Sequence, residues 1–63
     1  MSMNKQKAEA SKKNLQNSDL KNTDLQEADL SDGVLINACL ENSNLSEADL
    51  CDADLSGASL INA

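Results

Sequence analysis

Two acidic segments hold the side chains best suited to chemistry. EADLSD at residues 27–32 recurs as EADLCD at residues 47–52, so the same three carboxylates return after 20 positions. Carboxylates that lie together can bind a metal ion, act as acid and base, or attract a basic partner. The candidate residues are Glu27, Asp29, Asp32, Glu47, Asp49 and Asp52.

The composition around these carboxylates argues against an enzyme. The chain has no His, no Arg and no glycine-rich phosphate loop, and acid–base catalysis also needs a cleft and a second functional group. Cys39 and Cys51 have no base beside them in sequence. We interpret them as surface thiols, with crosslinking of two molecules as the alternative. We therefore expect no catalytic residue, no cofactor and no bound metal.

The charge is unevenly distributed. Residues 1–13 contain four lysines and one glutamate, a net charge of +3, whereas residues 14–63 contain ten carboxylates and one lysine, a net charge of −9. An acidic body disfavours direct binding to nucleic acid or to anionic lipid. No apolar run reaches the length of a membrane span, and free thiols suit a reducing cytoplasm, where we expect the protein to act.

A five-residue repeat organises residues 13–63. Leucine occupies every fifth position, and after Lys13 the residue two before each leucine is small. Asp or Asn immediately precedes seven of the ten leucines. The residues predicted to form the core are Leu15, Leu20, Leu25, Leu30, Leu35, Leu40, Leu45, Leu50, Leu55 and Leu60, with Ala28, Ala38, Ala48, Ala53 and Ala58.

Neither a helix nor a straight strand explains a period of five. In a helix, five steps of about 100° scatter the leucines around the cylinder, and in a strand an odd period turns successive leucines to opposite faces. If the chain turns a corner of roughly 90° after each unit, four units close one coil and every leucine points at a central axis. The recurrence after 20 residues supports this coil length, although LINA returns after 25 residues, at 35–38 and 60–63.

This pattern resembles the pentapeptide-repeat family, whose repeat is written A(D/N)Lxx. The resemblance covers residues 13–63 and implies an all-β solenoid, a right-handed quadrilateral β-helix of about two and a half coils, with leucine and the small residue inside. Val34, Cys39 and Ser59 depart from the pattern at the Asp/Asn position, and Lys13 departs at the small position. No cofactor or metal follows from the resemblance.

In such a coil, residues 20 apart share a face, so the six candidate carboxylates form one acidic edge. We consider a solvated surface, a site for a basic protein partner, and a cation site. The cation site is the weakest, because calcium needs oxygens that converge on one point and these lie on a flat ladder. Stacked like charges should raise the pKa of one carboxylate in each pair. Asparagines two positions after leucine are expected at the corners, where Asn tolerates turn geometry.

The two ends of the repeat differ in sequence. Residues 1–12 form either a basic disordered tail or a short capping helix laid over the first coil. The other end stops at Ala63 without a cap, and an unpaired coil edge is a template for another chain. We expect a protein partner or self-association there, with Ile61 and Ala63 in contact, unless the chain is part of a longer solenoid.

These features predict a noncatalytic protein-interaction or scaffold module. The alternative comes from the family resemblance: an acidic mimic of duplex DNA that binds a DNA-binding protein such as DNA gyrase. The charge suffices, because DNA carries about one charge per 1.7 Å. The length does not suffice, because two and a half coils at roughly 4.8 Å each span about 12 Å, against roughly 34 Å for one turn of DNA.

Overall fold

The computed structural model describes residues 3–63, so the first two residues of the predicted 1–12 segment lie outside the described residues. One helix, α1, spans Lys5–Ala10, and a 3₁₀ helix spans Lys12–Asn14. From there to the end, two-residue turns alternate with isolated β-bridges at a period of five residues. The molecule measures 23 × 22 × 21 Å over the described residues, so it is as wide as it is long.

Helix α1 closes the N-terminal end of the core. Asn4 caps the helix, since its side-chain oxygen accepts a hydrogen bond of 2.9 Å from the N–H of Lys7. Ala8 is fully buried, Met3 packs against the core, and Lys7 faces solvent. A six-residue helix is not stable alone in water, so its packing against the coil is what holds it in place.

A tight turn after each leucine bends the chain. In nine of the turns the N–H three residues after leucine donates to the leucine C=O at 3.0–3.2 Å, as Ala28 does to Leu25. The residue two after leucine has φ between 59° and 69° in every turn. A type II turn requires positive φ at that position, which Gly and Asn adopt most readily. The expected corner placement of the asparagines is therefore confirmed: Asn17, Asn22, Asn37, Asn42 and Asn62.

Successive coils pair through their backbones at an offset of 20 residues. All five β-bridges are parallel and join residues 20 apart, for example Asp19 with Cys39 and Asp29 with Asp49. We call the coil nearer the N-terminus the lower coil and the next coil along the chain the upper coil. At each paired face, three hydrogen bonds of 2.7–3.0 Å link the two coils. The coil length predicted from the repeat agrees with this pairing.

The described residues contain less sheet than an all-β class implies. Each bridge is a single residue, and α1 and the 3₁₀ helix precede the first one. The physical reason is the short distance between corners: only three residues separate consecutive turns, so no run is long enough for an extended strand. The predicted class is thus matched in part, by coils that pair in parallel with little continuous sheet.

The core lies between α1 and the second coil. Six leucines are at most 2% exposed, and Ala8, Ala28 and Ala38 are buried with them. Gly33 fills a small position that has no room for a methyl group, because an added Cβ would lie 2.8 Å from the C=O oxygen of Leu30. The fully buried leucines are Leu15, Leu20, Leu25, Leu30, Leu35 and Leu40.

Replacing Glu27 by Asn should stabilise the protein. Glu27 has φ 62°, a region that costs an ordinary side chain about 1 kcal/mol or more and costs Asn less. We expect the free energy of unfolding to rise by about 0.5–1 kcal/mol, measured by urea denaturation followed by circular dichroism.

The matched control is Glu27→Gln, which removes the same charge without favouring positive φ. Equal gains for the two variants would show that relief of charge repulsion, rather than of backbone strain, is responsible.

Candidate functional site

The last coil leaves part of the apolar core uncovered. Leu45, Leu50 and Leu55 are half-buried, and Leu60 is 44% exposed. We call the surface formed by these four leucines the C-terminal face. A shallow concavity of about 710 Å³ opens there. Its lining residues are Asn42, Ser43, Asn44, Leu45, Ser46, Leu50, Leu60, Asn62 and Ala63.

Backbone donors along the edge of this face also lack partners. In the lower coils, the N–H of each leucine and the N–H two residues later donate to the coil above, as Leu20 does to Cys39 at 2.8 Å. Within residues 3–63 the equivalent N–H groups of the last coil make no such bond. An edge of this kind is a template for another backbone. The eight N–H groups belong to Leu45, Glu47, Leu50, Asp52, Leu55, Gly57, Leu60 and Asn62.

Ile61 and Ala63, the predicted contact residues, lie beside the C-terminal face. Ile61 is 62% exposed at the last corner, where its C=O accepts a hydrogen bond of 2.9 Å from the N–H of Asn42. Ala63 is exposed, lines the concavity, and donates to the C=O of Leu60 at 3.0 Å. Their role in an interface stays a prediction.

The N-terminal end is closed by polar contacts as well as by apolar ones. Glu9 Oε2 accepts a hydrogen bond of 2.8 Å from the N–H of Asp29, and the C=O of Lys12 accepts one of 2.7 Å from the N–H of Val34. Lys12 Nζ lies 3.2 Å from Asp29 Oδ1 and 3.2 Å from Ser31 Oγ. Sequence reasoning missed these contacts, because only the folding of α1 over the coil brings residues about 20 apart together here.

The predicted acidic edge is assembled as the coil spacing requires. Asp29 and Asp49 form a parallel bridge. The N–H groups of Glu27 and Asp32 donate at 2.8 Å to carbonyls next to Glu47 and Asp52 in the following coil. The six carboxylates therefore lie on stacked coils, and their binding of a basic partner stays a prediction.

Most side chains at the Asp/Asn position have a local structural role that the sequence analysis did not assign. Each accepts a hydrogen bond of 2.9–3.1 Å from the backbone N–H two residues later, at the start of the turn. This Asx-type contact satisfies a corner N–H and fixes the direction of the turn. The six residues are Asp19, Asp24, Asp29, Asn44, Asp49 and Asp54.

Asp29 does not show the raised pKa expected from stacked carboxylates. Hydrogen bonds from the Ser31 hydroxyl at 2.6 Å and the Ser31 N–H at 3.1 Å, together with the Lys12 ammonium at 3.2 Å, lower the pKa of Asp29 to about 2. The pKa of Asp29 is thus shifted opposite to the rise expected for one carboxylate of each stacked pair, because three donors contact its carboxylate directly. Ser56 lowers the pKa of Asp54 in the same way, through its hydroxyl and its N–H.

The remaining candidate chemistry is sparse. Cys39 is half-buried, Cys51 is exposed, and both carry free thiols. Among the described residues, no three His, Cys, Asp or Glu side chains lie close enough to hold a metal ion together. The part of the chain that the structure describes also has no helix with the length and apolarity needed to cross a bilayer.

Comparison with known families supports the interpretation of the repeat. The family model described as pentapeptide repeats matches residues 6–35, 14–46 and 34–63, with eight copies. Comparisons with curated proteins and with solved structures find no significant match.

The stability contributed by Asp29 should depend on pH. Because folding lowers the pKa of this carboxyl from 3.8 to about 2, its ionised form favours the folded state. The contribution is complete above about pH 5 and is mostly lost when the pH reaches about 2. The difference in unfolding free energy between the wild type and Asp29→Asn should therefore be constant near neutral pH and shrink between about pH 5 and pH 2, measured by urea denaturation at each pH.

Asp32→Asn serves as the control, because within residues 3–63 no hydrogen bond reaches the Asp32 carboxylate. The comparison shows whether the shrinking of the gap is specific to the carboxylate that Ser31 and Lys12 contact. A gap for Asp29→Asn that stays constant down to pH 2 would contradict the assigned contacts.

Proposed function

Because the chain belongs to the pentapeptide-repeat family, we propose that it is a noncatalytic protein-interaction or scaffold module that binds through its C-terminal face. The observation that carries the proposal is the contrast between the two ends of the core. The first coil is covered by α1 and its leucines are at most 2% exposed, whereas Leu60 in the last coil is 44% exposed. The partner is another protein or a second copy of this chain.

The proposed architecture is the right-handed quadrilateral β-helix that the family resemblance implies. Four turns in every 20 residues and five parallel bridges at an offset of 20 support a four-sided coil. In such a solenoid a terminal coil needs a cap or a partner, because only one of its two faces is paired. The exposed side chain of Leu60 supports a docking surface on this coil.

The roles of the acidic side chains support a noncatalytic protein. The carboxylates of Asp29 and Asp49 accept hydrogen bonds from turn N–H groups, so these two residues serve the backbone geometry. Proton transfer to a substrate needs a carboxyl that is free to face it in a cleft. The two free thiols suit a reducing compartment such as the cytoplasm, where we propose that the module acts.

The dimensions do not favour the alternative, mimicry of DNA toward a protein such as DNA gyrase. The longest dimension of the described residues is 23 Å, shorter than the roughly 34 Å of one helical turn of DNA. We therefore base the proposal on the C-terminal face and not on the acidic edge.

Leu60→Asp should abolish binding while leaving the fold intact, because this side chain is already 44% exposed and contributes less to the core than the buried leucines. Full-length wild type and variant, each immobilised, would be compared for the proteins they retain from an extract of the source cells. We expect at least a tenfold loss of the specific partners with Leu60→Asp, because the charge would be buried at an apolar contact.

Two control variants accompany this experiment. Leu60→Met keeps the apolar surface and should retain the partners, and Asp52→Asn changes the acidic edge and should also retain them. Retention by Leu60→Asp combined with loss by Asp52→Asn would move the binding site to the acidic edge and contradict the proposal.

A further inference from the structure

The hydrogen bonds between coils have a direction. At each paired face, two N–H groups of the lower coil donate upward, and one N–H group of the upper coil donates downward. At one such face, Leu20 donates to Cys39 at 2.8 Å and Asn22 donates to Glu41 at 2.9 Å, while Cys39 donates to Ser18 at 2.9 Å. The same pattern repeats at all six paired faces of residues 12–61. The top of a coil is therefore rich in donors, and the bottom of a coil is rich in acceptors.

The C-terminal face has the donor-rich edge that this pattern predicts. Its eight N–H groups without partners in residues 3–63 are accompanied by only four carbonyls at the small positions, again without a backbone partner there. The surface that matches it best supplies two carbonyls for every N–H group, together with an apolar centre. The bottom of a pentapeptide coil has these properties, and each coil inside the molecule already makes this contact with the coil below it. The four carbonyls belong to Ser43, Ala48, Ala53 and Ala58.

This chain cannot readily offer the bottom of its own first coil, because α1 lies over it. Ala8 is fully buried there. The Glu9 carboxylate accepts a hydrogen bond of 2.8 Å from the N–H of Asp29, and Lys12 Nζ lies 3.2 Å from Asp29 Oδ1. Helix α1 thus covers the apolar centre that a preceding coil would otherwise contact.

We infer that the C-terminal face binds the uncovered first coil of a second pentapeptide-repeat chain, head to tail, and that α1 prevents this chain from polymerising in the same way. The inference rests on the proposed function and names the partner for its binding face. A head-to-tail contact reproduces the internal coil contact, and without a cap such a contact would repeat into an open filament. With α1 in place, assembly of this chain stops after one contact.

A head-to-head pair of two C-terminal faces fits less well. It would bring together twice as many N–H groups as carbonyls, so half of the N–H groups would have no backbone acceptor. Buried donors without acceptors are unfavourable. The same count favours a partner that presents carbonyls, as the start of another coil does.

The test uses the full-length chain with α1 detached. Ala8→Asp places a charge at a fully buried position and should release the helix, so that the variant offers an uncovered first coil as the probe. In sedimentation velocity, the wild type should remain monomeric up to several hundred micromolar. Ala8→Asp should form multimers whose mean mass at least doubles and grows with concentration.

Two further measurements identify the contact. The double variant Ala8→Asp/Leu60→Asp should return to the mass of a monomer, because its C-terminal face is blocked. Wild type added to Ala8→Asp should shorten the multimers in proportion to its dose, since it offers a C-terminal face but no open first coil. Aggregation of an unfolded chain would show neither effect.

A milder variant keeps the inference testable if Ala8→Asp does not fold. Glu9→Ala/Lys12→Ala removes the contacts with Asp29 and leaves the buried face of α1 unchanged, and circular dichroism reports whether the coil persists. Limited proteolysis within residues 5–10 reports whether α1 is released in either variant. A folded variant with α1 released that stays monomeric overturns the inference, and so do multimers that are insensitive to Leu60→Asp.

The outcomes separate this inference from the proposed function. A wild-type dimer that dissociates on Leu60→Asp would indicate head-to-head pairing, which overturns the inference and leaves the C-terminal face as the binding site. If captured partners depend on Leu60 but the α1-detached variants are monomeric, the inference is overturned and the proposed function is retained. Partners that are indifferent to Leu60 would remove the proposed function itself.

Discussion

The structure depends on a backbone turn with positive φ at every fifth residue. This turn places the N–H of the small residue against the C=O of the preceding leucine and brings the next three residues around a corner. Four such corners return the chain to its starting side, and only then do residues 20 apart pair. A failed corner would move every later leucine away from the core, so local backbone geometry and core packing are inseparable here.

The Asp/Asn position reinforces the corner from outside. A carboxylate or amide oxygen at this position accepts the N–H two residues later, and this contact recurs six times. The acidity of the chain is therefore a consequence of turn construction as much as of surface chemistry. Charge alone is thus weak evidence for a binding function, and the proposed binding face rests on the exposed leucines of the last coil instead.

The asymmetry of the two ends comes from the polarity of the coil contact. Each coil donates two hydrogen bonds upward for every one it receives from above, so the top and the bottom of a stack are chemically different surfaces. Helix α1 satisfies part of the bottom surface with the carboxylate of Glu9 and covers its leucines with Ala8. A repeat protein built in this way can have one closed end and one binding end without any difference in the repeat itself.

The leucine period and the small residues beside it are enough to predict the coil length and the family, because they encode local geometry that needs no distant partner. The sequence did not determine how much continuous sheet forms, since the pairing is broken at every corner. It also did not reveal that Glu9 and Lys12 reach Asp29, or that Leu60 is left exposed while Leu20 and Leu40 below it are buried. These features depend on which coil lies above or below a residue and on how α1 packs, and only the tertiary structure decides them.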